Sequence, residues 1–184
     1  MSASFPGQPV ELWAQDEARL GLLPVVRRVW APVGKRPVAA VHRRFQWLYV
    51  YGFVHPKTGR VVWFILPNMN TVTMNIALER FAKESGAGKD KQIVLLVDGA
   101  PSHTSGSLIT PEGVHLVYQP KYSPEVQPSE RLWPLIREPL ANRVFDSIDE
   151  LEEVIIKRCR ELDKQAEVIR AHTLFHWWPE DVNL

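Results

Sequence analysis

The stretch "LLVDGAPSHTS", Leu95–Ser105, decides how the chain is read. An apolar run stops at an aspartate, and small residues, a proline and a histidine follow. The run that contains it, "KQIVLLVDG" (91–99), is short and almost entirely apolar, as a strand buried on both faces should be. Asp98 then reads in one of two ways. Asp-Gly is a strong turn dipeptide. The carboxyl end of a central strand is also where open α/β sheets present their chemistry.

Working outward from that strand, two kinds of segment flank it. Before it, "PVELWAQDE" alternates as a strand ending near Asp16 would, and "VVRRVWAP" (25–32) and "RRFQWLYVYGFVHP" (43–56) are rich in β-formers. "HPKTG" reads as a hairpin turn from which "RVVWFILP" returns. Next, Met74, Ala77, Leu78 and Phe81 fall at helical spacing over 71–86, and Gly86 closes the helix. After the central strand, "GVHLVYQP" predicts another strand, and 127–144 a helix divided by Pro134 and Pro139. Ser147 and Glu150 have capping-box spacing at the head of a helix over 147–164, and 166–179 predicts a last amphipathic helix. Antiparallel strands followed by parallel strands and helices give an α/β fold, a mixed sheet flanked by helices; a ribonuclease-H-like arrangement has this succession.

The bulk properties exclude several classes. The chain has 184 residues, 45% of them hydrophobic, which suits one globular domain. No apolar run nears the roughly 20 residues of a membrane span, and the first residues lack a signal-peptide pattern, so a cytoplasmic protein is expected. A single cysteine, Cys159, leaves no internal disulfide and no cysteine-based zinc cluster. The net charge of +1 hides an asymmetry. From Ala18 to Leu78 there is no acid, while Arg19, Arg27, Arg28, Lys35, Arg36, Arg43, Arg44, Lys57 and Arg60 all fall there. That block reads as a contact for a polyanion or as basic protection of strand edges. On the first reading, Arg27, Arg28, Lys35, Arg36, Arg43 and Arg44 follow a DNA backbone and Trp30 stacks on an unpaired base.

Three acids stand where chemistry is done: Asp16 at the end of the first predicted strand, Asp98, and Glu130 in the first turn of a helix after Pro128. Carboxylates converging from separate elements suit Mg²⁺, and two such ions suit in-line phosphoryl displacement. Taken singly, Asp16 and Asp98 are also ordinary turn residues, and Glu130 complements a helix dipole. Glu17 points away from Asp16 along a strand and stands behind it at most. His103 either supports the site or makes a local turn hydrogen bond. His172 and His176 have the spacing of a zinc pair but no third ligand, so a packed amphipathic helix is the better reading. Neither a nucleophile elbow nor a phosphate-binding P-loop is present in the sequence.

In this order, "WAQDEARLGL", "RRVWAPVGKRP", "LLVDGAPSHTS" and "QPKYSPEVQPSERLW" resemble the catalytic domain of the IS630/Tc1/mariner superfamily of DDE transposases. The resemblance runs from about Leu12 to Trp133 and implies a ribonuclease-H-like fold. It implies that Asp16, Asp98 and Glu130 form the catalytic, metal-holding triad, with two Mg²⁺ or Mn²⁺ ions as cofactor.

 These ions serve the cutting of transposon ends and the joining of the freed 3′-hydroxyl to target DNA. Glu17 and His103 then stand in support of the triad, and DNA, both transposon ends and target, is the partner of a homodimeric active complex. The family usually has Asp-Asn-Ala at Asp98-Gly99-Ala100 and Asn-Pro at Gln127-Pro128, and a slightly longer interval than the 31 residues between Asp98 and Glu130. Its helix-turn-helix DNA-binding modules precede the catalytic domain. Asp16 comes too early for one, so a single domain over 1–184 without that module is expected. A DNA-binding remnant without cleavage and a stand-alone nuclease of the same fold are the alternatives.

Overall fold

A computed structural model of the chain describes residues 8–35, 44–120 and 123–179. Five strands form one sheet in the order β3-β2-β1-β4-β5. They are β1 (Val10–Gly21), β2 (Trp47–His55), β3 (Arg60–Leu66), β4 (Gln92–Val97) and β5 (Val114–Tyr118). β1 pairs antiparallel with β2 and β2 with β3, whereas β1–β4 and β4–β5 are parallel. The short turn with Gly59 at φ 70° suffices for the β2–β3 hairpin. The parallel β4 needs a crossover, supplied by α1 (Thr71–Ser85). Asn70 and Thr73 form a capping box at its head, and Gly86 closes it at φ 75°. The expected mixed sheet flanked by helices is therefore the observed architecture.

Strand alternation divides the core into two layers. On one face Trp13, Tyr51, Phe53, Leu95 and Val97 pack against Met74, Leu78 and Phe81 of α1. On the other, Ala14, Ala18, Val50 and Val54 pack against α3 (Leu132–Arg137), α4 (Ile148–Leu162) and α5 (Ala166–Thr173). Among the described residues no helix is long and apolar enough to cross a membrane.

Four local expectations need correction. β1 continues past Asp16 to Gly21, because its second half pairs with β2 from Ala14↔Val54 to Gly21↔Trp47. "VVRRVWAP" is not a strand: only Val25 makes an isolated bridge, to Ala141, and Val26, Val29 and Trp30 are exposed. Pro24 and Pro32 lack the N–H a ladder requires, and the β1–β2 pairing has already ended at Gly21. The segment 127–144 is no continuous helix. A 3₁₀ turn (Pro128–Arg131) leads into α3, and another (Glu138–Leu140) follows it. Pro134 falls in the first turn of α3, where its missing N–H costs no intrahelical bond. The last helix ends at Thr173, leaving His176 outside it.

The capping reading at α4 holds in part. Ser147 accepts from the Glu150 N–H at 3.1 Å, but the Glu150 carboxylate accepts from the Asp146 N–H, one residue before the cap.

Candidate active site

The β1–β4 register brings two of the predicted acids to one level. Ala14 is opposite Leu96, so the next even residues along each chain are Asp16 and Asp98. β4 stops at Val97 while β1 runs on, so Asp16 lies where β1 loses its neighbour on that side. Asp98 stands one residue beyond the last ladder position.

Asp16 accepts a 2.7 Å hydrogen bond at Oδ2 from the Trp133 indole. Burial pushes its pKa up to about 7, and the Glu17 and Glu130 charges push the same way against the Trp133 bond. Glu130 is exposed on the 3₁₀ turn before α3. That turn is fastened to β1: the buried Gln127 donates from Nε2 to the Gln15 carbonyl at 3.0 Å, and Ser129 donates to Gln127 Oε1 at 3.1 Å. Gln127, one of the departures from the family pattern, thus anchors the segment that carries Glu130. Next to Asp16, Gln15 is fully buried, and among the described residues neither of its side-chain amide atoms has a hydrogen-bond partner.

Asp98 is held differently. Its Oδ1 accepts the Ala100 N–H at 3.0 Å and His103 Nδ1–H at 2.6 Å. The His103 bond holds the Asp98 carboxyl below its usual range, against the opposing effect of burial. His103 is buried on α2 (Pro101–Thr104), and its Nε2 meets Glu17 Oε1 at 3.0 Å. Burial works against the imidazolium, but the bonds to Asp98 and Glu17 outweigh it and carry the pKa up to about 10. Tyr118 on β5 donates to the His103 carbonyl at 2.8 Å and ties α2 to the sheet.

Asp16 and Glu130 are thus brought into mutual repulsion, while the Asp98 carboxylate is engaged by His103. Among the described residues, no three His, Cys, Asp or Glu side chains stand close enough together to hold a metal ion. In donor chemistry the acids nevertheless suit a divalent cation. All offer hard oxygens, and a cation beside Asp16 would offset the burial and the neighbouring Glu17 and Glu130 charges that raise its pKa.

The basic block is mixed in its placement. Arg28, Trp30 and Lys35 are exposed. Arg27 donates to the Pro134 carbonyl at 3.2 Å, and its backbone N–H to Asn142 Oδ1 at 3.0 Å. The Arg44 guanidinium donates to the Asp146 carbonyl. Arg36 and Arg43 lie outside the described residues. His172 donates from Nδ1 to the Val168 carbonyl at 2.8 Å, the bond of a helix side chain to its own preceding turn.

Two supports escaped sequence reasoning. Trp133 reads as an ordinary core residue, three places after Glu130, and Tyr118 as a strand residue. Only the Trp133 spacing on a helical turn hinted that its indole could face the site.

A family model described as DDE superfamily endonuclease matches residues 11–152. A Sinorhizobium fredii protein described as "Uncharacterized protein y4pE/y4sA" is 31% identical over 106 residues, 57% of this chain and 77% of that one. Among solved structures, the Mos1 mariner paired-end complex with Mn superposes with a TM-score of 0.60 at 17% identity, over 91% of this chain and 56% of that one. The Mos1 strand transfer complex gives 0.57 at 16% identity, again over 91% and 56%. These two likenesses are of fold and bear out the ribonuclease-H-like arrangement. The chain spans just over half the length of the Mos1 chains it matches.

Proposed function

The chain belongs to the DDE superfamily endonuclease family, and from that premise we propose that it is the catalytic core of a cut-and-paste DNA transposase. Its substrates are transposon ends, which it cuts, and target DNA, to which it joins the freed 3′-hydroxyl as a homodimer. Asp16, Asp98 and Glu130 are the residues to hold two Mg²⁺ or Mn²⁺ ions. Bound there, the ions supply Lewis-acid stabilisation of the attacking and leaving oxygens in an in-line displacement. The observation that carries the reading is the β1–β4 register, which sets Asp16 and Asp98 level, with Glu130 near enough to Asp16 to raise its pKa.

The protein's own groups have separable tasks. Trp133 orients the Asp16 carboxylate and favours its charged form. Gln127 keeps the Glu130 turn on β1. Arg28 and Lys35 supply charge to the phosphate backbone, and the exposed Trp30 offers a stacking face to an unpaired base.

The test is nicking of supercoiled plasmid in Mg²⁺ or Mn²⁺, compared with Asp16→Asn, Asp98→Asn and Glu130→Gln. Metal-dependent nicking lost in each variant supports the reading; nicking that survives Asp98→Asn overturns it. A second reading, DNA binding without cleavage, draws on the engagement of Asp98 by His103 and the lack of a three-ligand cluster among the described residues. It expects salt-sensitive DNA binding that is indifferent to all three substitutions.

A further inference from the structure

We propose that Glu17 is a positioning residue for Asp98, acting through the His103 imidazole. The inference rests on the assignment of Asp98 to the metal-holding site. Asp98 lies beyond the β4 ladder, its side chain is 37% exposed, and the strand no longer fixes its direction. Besides the Ala100 N–H, which donates to Oδ1 at 3.0 Å, what fixes it is a chain of contacts that ends in the middle of the sheet. Glu17 sits on β1 opposite Tyr51, with only 4% of its side chain exposed. Its Oε1 meets His103 Nε2 at 3.0 Å, and His103 Nδ1 meets Asp98 Oδ1 at 2.6 Å.

The imidazole cannot swing away from this line. Its side chain is fully buried, its carbonyl is held by Tyr118, and its N–H donates to the Ala100 carbonyl at 2.9 Å. With both ring nitrogens occupied by carboxylates, the ring plane is set from both ends. Because His103 uses Oδ1, the second Asp98 oxygen is aimed by the same contact and takes none of these bonds. Consecutive residues on β1 therefore serve the two central acids: Asp16 is one of them, and Glu17, on the opposite face of the strand, aligns the other. Any shift of β1 moves both together.

The test compares Glu17→Leu, Glu17→Asp and Glu17→Gln in Mn²⁺ binding, DNA nicking and metal-free crystal structures. Glu17→Leu removes the acceptor and should weaken Mn²⁺ binding and lower kcat by about 10–100-fold, leaving KM for DNA unchanged. Its crystal structure should show the Asp98 carboxylate turned off His103. Glu17→Gln keeps an acceptor oxygen at the same reach and should restore most of the loss. If Glu17→Leu does not fold, Glu17→Asp, one methylene shorter, should give an intermediate loss with the same displacement of Asp98. Asp98 still seated on His103 in the Leu or Asp variant overturns the proposal, as does a loss in Glu17→Gln equal to that in Glu17→Leu. Should the unsubstituted protein neither bind Mn²⁺ nor nick DNA, the transposase reading fails, and the position of Asp98 in the crystals still decides the role of Glu17.

Discussion

The Trp133 indole donates to Asp16 Oδ2 at 2.7 Å across 117 residues of sequence. This bond joins the helix after Glu130 to β1, and it favours the ionised form of an acid that burial disfavours. Trp133→Phe keeps most of the ring but removes the donor. The Asp16 pKa should then rise above about 7, so the acid limb of the nicking rate should move to higher pH. At neutral pH the rate should drop about fivefold, at a hydrogen-bond loss of roughly 1.4 kcal/mol, and recover as pH rises. An unchanged acid limb would count against ionised Asp16 as the working form.

Asp16 also sets a stability trend in the metal-free protein. Its pKa is raised from 3.8 to about 7 in the folded chain. Between those values the folded state keeps a proton that the unfolded state has lost, so stability falls as pH rises through that window and levels off above it. Asp16→Asn accepts the same Trp133 bond without a charge. It should match the parent near pH 3 and be more stable at pH 8, by no more than about 4 kcal/mol. Urea unfolding at the two pH values reads the difference, and no difference at pH 8 would mean Asp16 is ionised without cost.

The exposed cations should act on DNA through counterion release. Arg28→Ala and Lys35→Ala should each lower the slope of log K against log salt by about 1, with similar effects on unrelated duplexes. Arg27→Ala, whose guanidinium is spent on the Pro134 carbonyl, should change the slope less. Fluorescence anisotropy across a salt series measures all three, and equal slopes for every variant would remove the block from the DNA interface.

Gln15 buries an amide with no hydrogen-bond partner for either side-chain atom among the described residues. Gln15→Met is close in volume and leaves the backbone carbonyl that Gln127 uses untouched. It should stabilise the chain by about 1–2 kcal/mol in urea unfolding. Destabilisation would show that this amide is satisfied in solution.

Local pattern carried much of this architecture. The apolar run ending at Val97, the spacing of Met74 to Phe81 with Gly86 behind it, and the Ser147 cap all declare themselves within a few residues. β1 did not, because Asp16, Glu17 and Arg19 look like a strand's end until β2 is paired against them. Val25 to Trp30 misled in the opposite direction: its composition favours a strand, but among the described residues no partner strand lies beside it. The acids were legible as candidates from their places beside predicted elements. Their partners were not, since Glu17 and His103 are 86 residues apart and only the finished sheet brings them into contact.

The connection from β1 to β2 leaves and returns against the same part of the molecule. Near its departure Val25 bridges Ala141 and Arg27 is tied to Pro134 and Asn142; near its return Arg44 is tied to Asp146. Both moorings are made before the sheet resumes at Trp47. Chain length between two moored ends changes closure entropy only slowly. Length can thus change between the Arg27 and Arg44 moorings at little cost in closure entropy, so the reach of the basic block can vary while Asp16, Asp98 and Glu130 keep their places.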